Sequence, residues 1–542
     1  MEPIDQIAGK LGLSDADLIP YGKYKAKVRL DVLNRHPQKG KLILVSAITP
    51  TSAGEGKTTT TIGLGQGFAQ LGESVCLALR EPSMGPCMGL KGGATGGGKS
   101  TVEPSDEINL HFNGDFHAIA SANNLLAALL DNRIYHSGLS KIDPRRIHWR
   151  RVMDMNDRSL RNIVIGLGGV MQGVPRETGF DITAASEIMA ILCLSENYED
   201  LKQRLDRILL AFTYDEEPVT AQTLNATGAL AALLKDALLP NLAQTSEGVP
   251  AFIHGGPFAN IAHGCNSVLA TRMALATSDW VITEAGFGFD LGAEKFFDIK
   301  CKSAGLDTAA VVLVATCRAL KLHGGADANE LDRPDPERVR QGLPNLDRHA
   351  ENIRKFCEPP IVCLNRFAAD SDEEIDVVRK HCESVLKIPF AVSDVFANGG
   401  AGGRELARVV REHAEKQSDP YCPLYDWSED VKTKIWKVAH NMYGAGEIKY
   451  AAKAERDLRT IEKHGYDKLP VCIAKTPASF TDDPKILGRP EPFPITVREI
   501  LISAGAGFLI PLTGEILRMP GLPRTPRAES IDLIDGKIQG VR

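Results

Sequence analysis

No apolar run in this sequence approaches the roughly 20 residues that a membrane-crossing helix needs. A membrane protein of that kind is therefore not expected. Long runs of Lys or Arg are also missing, and the formal net charge is −6, which together argue against a nucleic-acid binder. The eleven cysteines contain no C-x-x-C pair, and several (Cys76, Cys193, Cys363, Cys472) stand inside apolar runs. They read as reduced, buried thiols of a cytoplasmic protein rather than as a disulfide or metal framework. The N-terminal stretch MEPIDQIAGKLGLSD carries acids and no apolar core, so no secretory signal is expected there. Internal repeats are lacking too. What is present is the composition of a soluble enzyme, 43% hydrophobic and 24% charged, on a chain long enough for two to four domains or one large core with insertions.

The stretch LILVSAITPTSAGEGKTTTTI, residues 42–62, organises the rest. Leu42 to Val45 reads as a buried parallel strand, a loop of small residues follows, and Gly56-Lys57-Thr58-Thr59 opens a helix. Backbone N–H groups converge at such a helix start, where the helix dipole is positive, and make an anion site. Lys57 adds a charge for the β- and γ-phosphates of a nucleotide, and Thr58 Oγ a ligand for Mg²⁺. Thr51 stands where the first Gly of G-x-x-x-x-G-K-[ST] belongs.

Short β-branched runs alternate with helical stretches along the chain, the signature of a parallel α/β sheet. The expected fold is a P-loop NTPase-like parallel sheet flanked by helices, with additional smaller α/β domains. Residues 1–40 read as a polar helical leader. The helix from Lys57 to Leu71 carries Gly63, Gly65 and Gly67, which implies very close packing. Further strands are expected at Ser74–Leu79, Asn162–Ile165, Ala251–Ile253, Trp280–Thr283, Ala310–Val314, Ile361–Leu364 and Val471–Ala474. The polar stretch Ala326–Asp347 marks a long excursion or boundary, dividing a phosphate-binding region, 1–330, from a C-terminal α/β region, 331–542, that contributes to the ligand pockets. Ser428–Lys463 reads as a charged, solvent-facing helical region.

In open α/β sheets ligands sit at the carboxyl ends of strands. Arg80 and Glu81 fall there after the second strand, as a substrate-handling pair or as a plain ion pair. The glycine-dense segment from Gly85 to Gly98 must bend sharply or approach a ligand, and Lys91 within it is a second phosphate contact. Asp115 lies between His111 and His117, a spacing that matches no known zinc pattern. Phe287, Phe367 and Phe396 stand in or near loops after strands, where a flat ligand could lie between rings or where they simply pack under loops.

These motifs carry a resemblance to the formate–tetrahydrofolate ligases that covers essentially the whole chain. The phosphate loop, Thr49 to Thr58, has that family's form, with Thr51 in place of Gly. Gly89 to Gly98 resembles its glycine signature, with Thr95 for the usual Ala and Lys99 for the usual Tyr. Val314 to Gly325 follows its second signature, with Cys317 where Ile or Val is usual. The resemblance implies an ATP-dependent ligase making 10-formyltetrahydrofolate from formate and tetrahydrofolate through formyl phosphate, with ATP, Mg²⁺ and a monovalent cation. It also implies a cytoplasmic homotetramer. Thr51, Gly54, Glu55, Gly56, Lys57, Thr58 and Thr59 would hold the nucleotide, Arg80 would clamp formyl phosphate, and Glu81 and Asp115 would orient Arg80 or help to bind cations. Phe287 and Phe367 match pterin-stacking positions, and Phe396 stands where relatives carry Trp. Two other readings share parts of these motifs: a ligase activating another small carboxylate, and a P-loop protein that works by changing partners.

Overall fold

A twelve-stranded sheet runs through the protein, and the phosphate loop leaves it near the middle. The computed structural model describes residues 1–90, 93–136, 141–416, 419–514 and 516–541. In chain order the strands are β1 (Leu18–Pro20), β2 (Ala26–Val28), β3 (Lys41–Ala47), β4 (Val75–Leu79), β5 (Gly96–Gly97), β6 (Ser100–Glu103), β7 (Asn241–Thr245), β8 (Pro250–Ile253), β9 (Trp280–Glu284), β10 (Ala310–Ala315), β11 (Pro360–Asn365) and β12 (Phe390–Ser393). Across the sheet the order is β1-β2-β7-β8-β4-β9-β3-β10-β11-β12, with β6 pairing β7 and β5 pairing β6. From β8 to β12 every pairing is parallel. The antiparallel strands collect at the β1 edge.

The unbroken apolar composition of the parallel strands follows from burial on both faces. In β3, Leu42 and Leu44 point into one core with Met273 and Leu346. Ile43 and Val45 point into the other with Phe68 and Leu406. Helix α1 (Lys57–Gln70) lies on that second face beside α5 (Gly400–Ala414). The α1 glycines are explained there. A Cβ on Gly65 would stand 2.5 Å from Leu77, and one on Gly67 would stand 2.7 Å from the Gly403 carbonyl oxygen. Gly63 faces Val395, and Gly403 in turn faces the Gly63 carbonyl. The expected close packing holds, against a helix as well as the sheet.

Four sequence readings need correction. Residues 1–40 are no leader: after a short helix at Ile4–Lys10, β1 and β2 join the main sheet. Three-residue strands are too short to show a two-residue period. The second half of Ala326–Asp347 is the start of helix α4 (Pro336–Lys355), with Asp335 accepting from the Arg338 N–H as its cap. Ser428–Lys463 contains a strand, Ala445–Tyr450, between helix Val431–Val438 and α6 (Ala452–Lys463). Val471–Ala474 is not a regular strand but makes two isolated bridges to Leu509 and Leu512. The other expected strands are present, though Ile163–Ile165 belongs to an outlying hairpin. The central sheet continues across residue 330, because β10 pairs β11.

The cysteine reading also changes. Nine cysteines are free and buried, as expected. Cys357 and Cys422 instead form a disulfide, with Cα atoms 5.4 Å apart and 65 residues between them in sequence. Nothing in their spacing announces this, since the fold alone brings the end of α4 against the 419–424 segment.

Candidate active site

The loop from Ile48 to Gly56 carries the chain from β3 into α1. Gly56 is the N-cap at φ 69°, a left-handed conformation suited to glycine, and a Cβ there would stand 2.5 Å from Asn365 Nδ2. Lys57, Thr58 and Thr59 follow as the first turn, where backbone N–H groups have no partner within the helix. Thr51 and Glu55 are both buried. Glu55 ties the loop together: Oε1 accepts from the Thr51 N–H at 2.6 Å, Oε2 from the Thr316 hydroxyl, and its carbonyl from Asn365 Nδ2 at 3.0 Å.

Thr49 anchors the other end. Its hydroxyl accepts from Asn345 Nδ2 and meets His349 Nε2, each at 3.0 Å. Its carbonyl lies 3.0 Å from His323 Nε2, while the Gly488 N–H donates to His323 Nδ1 at 3.1 Å. The His323 proton therefore sits on Nε2. Burial lowers His323 to about 4. It also holds His349 well below the ordinary range, helped by the neighbouring His323. An unfolded chain protonates His323 near pH 6.5, but the folded chain resists until about 4, so acid favours unfolding. Between those pH values the stability of the protein relative to His323→Gln should fall by about 1.4 kcal/mol per pH unit. Urea unfolding of both proteins at several pH values would show it; a difference that does not change with pH contradicts the assignment.

Thr58 Oγ1 donates to Glu284, 3.1 and 3.0 Å from its two carboxylate oxygens. Glu284 is buried at the end of β9, in register with Val45 of β3. Its Oε1 lies 3.8 Å from Arg80 Nη2. Arg80 Nη1 donates to the Pro257 carbonyl at 3.5 Å, and its buried Nε has no hydrogen-bond partner among the described residues. Strand β9 lies between β3 and β4, so Glu284 joins the phosphate-loop helix to the guanidinium. Glu284 does not stand out in the sequence, because strand order cannot be read from a linear chain.

Glu81 and Asp115 turn away from Arg80 into a buried cluster. Asp115 pairs with Lys27 Nζ at 2.7 Å and accepts from Asn241 Nδ2 at 2.7 Å. No hydrogen bond joins Glu81 or Asp115 to Arg80 among the described residues. Burial, and secondarily the nearby Asp115, pushes Glu81 well above the usual carboxylate range. Glu81 Oε2 is buried without a hydrogen-bond partner among the described residues.

The aromatic residues spread along the sheet's carboxyl edge. Phe287 follows β9 at φ 58°, a conformation costing a non-glycine residue on the order of 1–3 kcal/mol and concentrated at functional sites. Phe367 follows β11, half-buried, with the Arg318 guanidinium 5.5 Å from its ring. Phe396 lies in a one-turn helix, Val395–Asn398, and is 59% exposed. It explains part of the glycine-dense segment: a Cβ on Gly97 would stand 3.0 Å from its ring, and Lys99 N–H donates to its carbonyl at 2.9 Å. Lys91 lies outside the described residues.

The family model for formate–tetrahydrofolate ligase matches residues 1–542. The chain belongs to the formate–tetrahydrofolate ligase family. A formate–tetrahydrofolate ligase of Syntrophus aciditrophicus (strain SB) is 57% identical over 544 residues, spanning 100% of this chain and 96% of that protein. Within this formate–tetrahydrofolate ligase family member, the second signature now has a physical role. Thr316 and His323 hold the phosphate loop from behind, while Cys317 is buried in the core. Asn345, His349 and Asn365 do the same work from outside the two signatures.

Proposed function

We propose that the chain joins formate to tetrahydrofolate in two steps through formyl phosphate, with ATP as phosphoryl donor. The observation that carries this reading is Glu284, whose one carboxylate meets both Thr58 of the phosphate-loop helix and Arg80 of the neighbouring strand end. A nucleotide γ-phosphate held at α1 therefore lies beside a guanidinium whose Nε has no hydrogen-bond partner among the described residues. In the first step a formate oxygen attacks the γ-phosphorus, the bond to the β-phosphate oxygen breaks, and ADP leaves. Lys57 and the α1 N–H groups hold the transferring phosphoryl group, and positioning with charge stabilisation supplies the catalysis. Arg80 then clamps formyl phosphate with its planar fork. In the second step N10 of tetrahydrofolate attacks the formyl carbon, phosphate leaves, and N10 loses a proton.

The hard oxygen donors of Thr58 and Glu284 fit Mg²⁺, which when bound neutralises charge on the β- and γ-phosphates. A monovalent cation fits beside Glu81, whose buried Oε2 has no hydrogen-bond partner among the described residues, while Lys27 already serves Asp115. Thr51 and Glu55 support this site by shaping the loop. The family reading also carries a cytoplasmic homotetramer.

The pterin is held by Phe287 and Phe367, which leave the sheet on either side of the phosphate loop, with Phe396 as a further exposed face. Stacking of a base-like ring on an aromatic side chain is worth on the order of 1–3 kcal/mol. Phe287→Ala and Phe367→Ala should each raise the apparent constant for tetrahydrofolate far more than that for ATP. The measurement is formate- and ATP-dependent formation of 10-formyltetrahydrofolate. Absence of that product sinks the reading as a whole, and equal weakening of both substrates sinks the role of the rings.

A further inference from the structure

A sizeable cavity lies away from the phosphate loop. It encloses about 700 Å³ between the strands Ile142–Ile147 and Leu209–Thr213, helix α6 and the strand Phe493–Ser503. None of Lys57, Thr58, Arg80, Glu284, Phe287 or Phe367 lines it. A volume of that size suits a small organic molecule.

Its walls are unusual in charge. Eight Lys and Arg side chains line it against four carboxyls. Two of those carboxyls are each shared between two cations, while Arg145 pairs with Asp143 and Lys453 with Glu499 outside the lining. Glu216 serves both Arg146, at 3.2 Å, and Lys463, at 2.6 Å. Asp181 serves both Arg150, at 3.3 Å, and Arg518. Arg456 and Arg459, one turn apart on α6, pair with no carboxylate among the described residues. A solvated basic surface would explain loose cations, but not cations gathered around a concavity. Nor would it explain the apolar floor, where Trp149, Phe212 and Phe508 meet the same space. Trp149 Nε1 is already satisfied by the Asn123 carbonyl at 3.1 Å, leaving the ring as an apolar wall. Unpaired guanidinium groups beside such a wall select phosphate or carboxylate oxygens attached to an apolar body.

We propose that this cavity is a second ligand site, taking a small molecule that carries two or more phosphate or carboxylate groups on an apolar or aromatic body. The charged part of that ligand is tested with inorganic pyrophosphate and citrate, by calorimetry on the full chain at low ionic strength. The variants are the double exchange Arg456→Glu with Arg459→Glu, the equally exposed Arg404→Glu as a charge control, and Lys57→Ala to remove the phosphate-loop charge. Saturable binding of at least one probe is expected in the wild type, in Arg404→Glu and in Lys57→Ala. Affinity should drop tenfold or more in the double variant, since hydrogen bonds to charged groups are the strong ones. Arg459→Gln alone should give an intermediate loss and covers the case in which the double variant does not fold. Failure of both probes to saturate the wild type, loss of binding in Lys57→Ala, or unchanged affinity in folded Arg459→Gln and double variants would each overturn the proposal.

Discussion

Lys57→Ala should lower ATP-dependent turnover by roughly 10²–10³-fold, the usual cost of removing one preorganised charge or donor from a transition state. The fold should survive, because Lys57 is only half-buried at the first position of α1 and the loop is held by other groups. Glu55, Thr316 and Asn365 brace it on one side, and Thr49 with Asn345, His323 and His349 on the other. The check is steady-state turnover with formate, ATP and tetrahydrofolate, alongside thermal unfolding of the same preparation. Near-normal turnover in a folded Lys57→Ala protein would remove the phosphate loop from the catalytic account.

Arg80→Lys separates the chemistry of the intermediate from nucleotide binding. The substitution keeps a positive charge but loses the planar fork that can hold two oxygens at once. Among the described residues, Arg80 reaches the phosphate-loop helix through Glu284, at 3.8 Å. Nucleotide affinity should therefore stay within a few-fold of the wild type, while 10-formyltetrahydrofolate production falls by orders of magnitude, as for a contact made mainly in the transition state. Calorimetric ATP binding and product formation are measured on one folded variant. Joint loss of both would assign Arg80 to the nucleotide site or the scaffold. Survival of both would reduce it to a structural partner of Glu284.

Legibility from sequence followed the range of the physical signal. The strand–loop–helix around Lys57 could be read because all its parts are neighbours in the chain. Strands β4, β8, β9, β10 and β11 could be read because strands buried on both faces are apolar along their length. Glu284 could not, since its place beside Thr58 and Arg80 depends on β9 inserting between β3 and β4, a matter of topology. Lys27 was hidden for a related reason: a lone Lys in a polar stretch gives no hint that it is buried on Asp115. Asn345 and His349 sit on an otherwise ordinary amphipathic helix, where only tertiary contact gives them work. The Cys357–Cys422 disulfide shows the same limit, as two residues 65 positions apart carry no local mark of pairing.

The seam of bare backbone between α1 and α5 bears on how this chain can drift over generations. Gly63 and Gly403 lie 340 positions apart, yet Gly403 packs on the Gly63 carbonyl and Val395 fills the space beside Gly63. A methyl group gained at Gly403 meets main chain, the Gly63 carbonyl, and one gained at Gly63 meets the β-branched Val395 side chain at its stem, so neither is absorbed by rotating a side chain. Inheritance of a larger residue at either position thus requires α5 to shift, and with it the Val395–Asn398 turn that presents Phe396. Two distant stretches of the gene are in this way held to one history.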